Sequence, residues 1–122
     1  MVMGVIEPIQ KMLDEFVQRG MATTVIAATR DGLLIASSPY KGFKEEVFAA
    51  MCATLLASAE TSMSELANEE PQTIFAKGEN FILVVRGAGE NMIIGGLVSS
   101  ESEICEVEKL AHDIEDIIKQ KS

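Results

Sequence analysis

From Val47 to Ala59 the chain carries no charged residue, although 24% of its residues overall are charged. Pro and Gly are absent from this stretch, and its Ala and Leu residues are strong helix formers. The pattern predicts a long helix from about Lys44 to Leu66. Projected at about 100° per residue, Phe48, Cys52, Leu55, Ala59 and Leu66 form one face of larger side chains. Ala49, Ala53 and Ala57 lie roughly opposite, as a second face of small ones. One apolar face is enough to dock a helix on a sheet. A second uncharged face implies that something else packs there. High helix propensity on a solvent face would also account for the alanines. Solvent faces normally carry Glu and Lys, however, so the small face reads as a close helix–helix contact.

The elements around this helix follow from periodicity and punctuation. Val5, Ile6, Ile9, Met12, Leu13, Phe16 and Val17 recur at helical spacing, and Gly20 follows as a helix stop. Pro8 sits near the start of that helix, where a missing N–H costs least. Ala22 to Thr29 is rich in β-branched residues and predicts a strand. Asp31-Gly32 is a favoured hairpin pair, and Leu33 to Ser37 returns as a second strand. Ser38 to Phe43, with Pro39 and Gly42, reads as a loop.

Three further strands are expected at Gln72 to Lys77, Phe81 to Gly87 and Met92 to Val98, separated by tight turns. The continuous apolar run from Phe81 to Val85 suits a strand covered on both faces, and Gln72 to Lys77 suits a sheet edge. Ser100-Glu101-Ser102-Glu103 matches a capping box opening a last helix. Ile104, Val107, Leu110, Ala111, Ile114, Ile117 and Ile118 form its apolar stripe. The order is helix, two strands, helix, three strands, helix. At 122 residues, with no linker or repeat, it fits one domain over 1–122.

Charge and composition exclude several functions. The net charge of -9 disfavours nucleic acid and offers no polybasic patch for anionic lipid. No apolar run approaches the roughly 20 residues of a membrane-spanning helix, and the N-terminus has no signal-peptide pattern. One His and two distant Cys are too few for a zinc cage, so no metal or cofactor is expected. Reduced thiols and a cytoplasmic setting are the plain reading, with a Cys52–Cys105 disulfide as the minor alternative.

Catalytic signals are weak. There is no P-loop motif. Gly87-Ala88-Gly89 lacks the third glycine of a dinucleotide loop, because Met92 stands there, and it reads as a hairpin turn. His112 falls on the polar flank of the last helix with no nucleophile indicated. Cys52 reads as an inert core thiol and Cys105 as an exposed one. The acidic run Glu101, Glu103, Glu106 and Glu108 fits the helix N-terminal dipole, with a docking patch for a basic partner as the sharper alternative. The chain is not expected to be an enzyme.

Three local patterns resemble the roadblock/dynein light-chain family, including its bacterial and archaeal MglB-like members. One is Val25 to Ser37, with its strand, Asp-Gly turn and Leu-x-Ile-Ala-Ser strand. The second is the Ala-rich long helix beginning near Glu46, and the third is the hairpin and strand from Gly78 to Val85. The element order matches along essentially the whole chain. The resemblance implies an α+β, profilin-like fold in which a five-stranded antiparallel sheet lies between the long helix and the two terminal helices.

It further implies a homodimer in which the third strands pair across a two-fold axis and the long helices pack side by side. Ala49, Ala53, Ala57, Thr73, Ile74, Phe75 and Ala76 are then the expected interface. Family members scaffold or regulate small Ras-like GTPases, or serve as motor light chains, so a GTPase is the expected partner. The alternative from a different class is a small-molecule sensor, with Met51, Met63 and Met92 lining its pocket.

Overall fold

The computed structural model describes residues 3–38 and 44–121. The predicted loop around Pro39 and Gly42 lies outside the described residues. The order is α1 (Met3–Gln18), β1 (Thr24–Thr29), β2 (Leu34–Ser38), α2 (Glu45–Ala67), β3 (Thr73–Lys77), β4 (Ile82–Ala88), β5 (Met92–Val98) and α3 (Ser102–Lys121). This is the order expected from the sequence, with ends displaced by one or two residues. The five strands form one antiparallel sheet in the order β2-β1-β5-β4-β3. The last strand, β5, therefore lies in the middle, and β3 lies at an edge as predicted.

Strand alternation sorts the core into two layers. Val25, Ala27, Ile82, Val84 and Ile94 point to the face covered by α1 and α3, where Ile9, Leu13, Phe16, Val107 and Ile114 are buried against them. Ile26, Ala28, Val85 and Ile93 point to the other face and meet Ala49, Cys52, Ala53 and Leu56 of α2. The apolar run in β4 is thus divided between both layers, as its composition implied.

The turns use the expected chemistry. Gly20, Gly32 and Gly89 all have positive φ, at 77°, 93° and 80°. Asn68 closes α2 in the left-handed region at φ 57°, and its N–H bonds back to the Ser64 carbonyl at 3.1 Å. Pro8 falls one turn deeper than expected, because α1 begins at Met3. The capping box is shifted by one residue. Glu103 reaches back to the Ser99 N–H at 2.9 Å, whereas the Ser100 hydroxyl lies 3.0 Å from that of Ser102.

The expectation that no apolar run approaches the length of a membrane-spanning helix is corrected by α2. By length and composition Glu45–Ala67 is apolar enough to cross a membrane, yet only 22% of its most apolar stretch is buried. The helix docks on the sheet by one face, and much of its apolar surface lies on the other.

Candidate interaction surface

The face of α2 that meets the sheet draws on both predicted faces, with Ala49 and Ala53 from the small one, Cys52 and Phe48 from the large one, and Leu56 beside them. Ala49 and Cys52 are completely buried, and Ala53 and Leu56 nearly so. The helix comes very close to the sheet. A β-carbon on Gly95 would stand 2.6 Å from Cys52 Sγ, and one on Gly32 would stand 3.1 Å from the Ala50 Cα. The sheet fills its side of this layer with Ile26, Val85 and Ile93, and above Gly95 the helix has room for nothing larger than Cys52, while Leu56 packs in the same layer. Ala49 and Ala53 are therefore covered by their own sheet and have no surface to offer a second chain. That part of the expected interface is corrected. The docking of the larger face is corrected in part: Cys52 is buried and Phe48 packs beside it, but Leu55 and Leu66 are exposed, Leu66 by 88%.

The outer face of α2 carries the unexpected feature. Val47, Met51 and Leu55, spaced at i, i+4 and i+8, are exposed by 53%, 58% and 44%. With Glu46, Ala50 and Thr54 they line a shallow depression of about 570 Å³. Leu33, at the β1–β2 turn, is a further exposed apolar side chain. Its neighbour Gly32 touches Ala50 of the same helix. Covering a side chain of this kind fully yields about 1.5–3 kcal/mol, so the stripe holds several kcal/mol of unrealised burial.

The remaining expected residues are Ala57 on α2 and four on the edge strand β3. Ala57 is exposed on α2. Thr73 and Ile74 are half-buried, and Phe75 and Ala76 are exposed. Among the described residues β3 pairs only with β4, so the N–H and C=O groups of its other edge are open there. Side chains hold the strand to α3. The Thr73 hydroxyl donates to Glu108 Oε2 at 2.5 Å and accepts from Arg86 Nη1 at 3.0 Å. Lys77 donates to Glu101, and this hydrogen bond and its charge hold the Glu101 carboxyl below the usual carboxylate range. Part of the acidic run on α3 thus serves as anchorage for the edge strand.

The candidate chemical residues are not brought together. Cys52 is buried and Cys105 exposed, and both are free thiols. Burial pushes the Cys52 thiol up from its ordinary 9.0 to about 12. His112 is exposed on α3. Met92 is packed in the layer under α1 and α3, whereas Met51 lies on the outer face of α2, so the imagined methionine-lined pocket does not form. Among the described residues no group of three His, Cys, Asp or Glu side chains could hold a metal ion.

The stripe itself was missed by sequence reasoning, which turned large side chains inward. Gly95-Gly96, inside an otherwise apolar strand, was the available signal. Glycine there marks the close approach of a neighbouring element, here the Cys52 side chain of α2 over Gly95.

Comparison with known proteins bears on this arrangement. A search of curated protein sequences finds no significant match. Among solved structures, MglB of Myxococcus xanthus and an MglB with a tetrameric arrangement each superpose with a TM-score of 0.85 at 17% identity. Each alignment covers 98% of this chain and 94% of that one. Profilin IA of Acanthamoeba castellanii superposes with a TM-score of 0.64 at 20% identity, over 93% of this chain and 98% of its own. These likenesses establish a profilin-like fold of the roadblock kind. The family model described as Roadblock/LC7 domain matches residues 8–98, from α1 through β5. On that match, the chain belongs to the Roadblock/LC7 domain family.

Proposed function

We propose that the chain acts as a single roadblock domain, a non-catalytic homodimer that regulates or scaffolds a small Ras-like GTPase in the cytoplasm. The observation that carries this reading is the Val47, Met51 and Leu55 stripe on the outer face of α2. In the proposed dimer the stripes of two copies face each other and the β3 edges pair. Ala57, Thr73, Ile74, Phe75 and Ala76 stay in the seam, and Ala49 and Ala53 leave it. A two-fold contact uses the same patch on both chains, so one stripe and one open edge suffice. Membership of the roadblock family supports the GTPase as partner. The dimer would act by favouring one switch conformation of that GTPase, with no chemistry of its own.

The test is a tagged pull-down from host lysate with GDP and with a non-hydrolysable GTP analogue. Capture of a small GTPase with a nucleotide-dependent yield is expected. Capture in neither state would overturn the GTPase reading. Light scattering that gives a monomer at tens of micromolar would overturn the dimer.

A further inference from the structure

α2 is longer than the sheet beneath it. Its 23 residues span about 35 Å, against about 24 Å for the longest strands. The two halves of the helix are held differently. Every fully buried residue of α2 lies between Ala49 and Leu56. Beyond Leu56, Ala59, Glu60 and Met63 are half-buried and the rest of the helix is exposed.

Arg30 reaches into this second half from the end of β1. Its Nη1 donates to Glu60 Oε2 at 2.8 Å, and its Nη2 donates to the Gly89 carbonyl at 3.2 Å. Its backbone N–H is fixed to the Asn91 carbonyl at 3.1 Å. The guanidinium crosses β4 at Gly87, where a β-carbon would stand 2.5 Å from Nη2. Arg30 Nε is buried without a partner, so the two bonds at the end of the fork must offset its desolvation. A planar fork can serve a helix and a hairpin at once, which an ammonium cannot do with the same geometry.

We propose that Arg30 is the positioning residue for the C-terminal half of α2. It fixes residues 57–67 relative to the β4–β5 hairpin and so places Ala57, the one residue of this half in the proposed seam with a second copy. The second clause rests on the proposed dimer; the first does not.

Amide hydrogen exchange on the full chain in a Met51→Glu background tests the first clause, since that substitution removes the proposed association. Arg30→Met should speed exchange at residues 57–67 by about tenfold while residues 45–56 keep their protection, as expected for loss of a charge-assisted bond. Gly87→Ala keeps the charge but displaces the guanidinium, and should give the same local pattern. Arg30→Lys should restore part of the protection. Uniform acceleration along the chain, or none at residues 57–67, would overturn the proposal.

With Met51 intact, Arg30→Met should also weaken self-association by about tenfold in sedimentation equilibrium. Local loosening with unchanged association would overturn the second clause alone. A wild-type chain that is monomeric would defeat the proposed dimer and that clause together, with the exchange result still deciding the role of Arg30.

Discussion

Gly95 lies directly beneath Cys52: a β-carbon at the glycine would come within 2.6 Å of the cysteine Sγ. The central strand and the long helix meet at this point, and neither partner can grow. Gly95→Ala should therefore destabilise the chain by about 1–3 kcal/mol through overpacking. Cys52→Ala in the same chain should recover part of the loss, because the sulfur is the nearest obstacle. Urea denaturation of the two single variants and the double variant would show this coupling. Strict additivity would mean that the two side chains do not compete for one space.

Met51 and Ala53 are two residues apart on α2 and face opposite ways. Met51 is exposed by 58%, whereas Ala53 is buried against the sheet. Met51→Glu should leave the monomer folded, with a change of less than about 1 kcal/mol, and should abolish self-association. Ala53→Glu should unfold the chain instead, since it buries an unpaired charge. Circular dichroism and sedimentation velocity on both variants distinguish loss of fold from loss of association.

The buried Cys52 thiol gives a pH dependence of defined sign. Burial raises its folded pKa from 9.0 to about 12, so the unfolded chain gives up this proton first. The contribution to stability is fully present below pH 9 and is lost as pH rises toward 12, at up to about 1.4 kcal/mol per pH unit. Cys52→Ala should lose less stability than the native chain over that interval. Denaturant midpoints measured at several pH values on both chains would check it. At neutral pH a thiol reagent should label Cys105, which is exposed, and reach Cys52 only on unfolding.

Thr73 joins the edge strand to α3 by donating to Glu108 and accepting from Arg86. Thr73→Val keeps the shape and removes both bonds. A loss of about 1 kcal/mol is expected, together with faster amide exchange in β3 than in β4. Equal exchange in both strands would show that pairing with β4 alone fixes the edge.

The amino-acid sequence by itself determined the elements and their order. Period-3.6 apolar positions marked α1 and α3, β-branched and apolar runs marked the strands, and Gly20, Gly32 and Gly89 marked chain reversals that positive φ confirms. These signals are local, so they could be read without knowing what lies across the core. The match of three short patterns to the roadblock family was likewise legible, because a family pattern is itself a sequence property.

Only the tertiary structure decided how α2 is turned. Its composition permits docking by either face, since both are uncharged. The choice falls to the opposite surface: Ile26, Val85 and Ile93, with Gly95 beneath Cys52, receive Ala49, Cys52, Ala53 and Leu56 and leave Met51 and Leu55 outward. The Arg30–Glu60 pair and the anchorage of β3 by Glu108 also join residues distant in sequence, on elements whose placement no local pattern encodes. Packing is a relation between surfaces. A single segment shows which side chains it can bury, and its neighbours decide which of them it does.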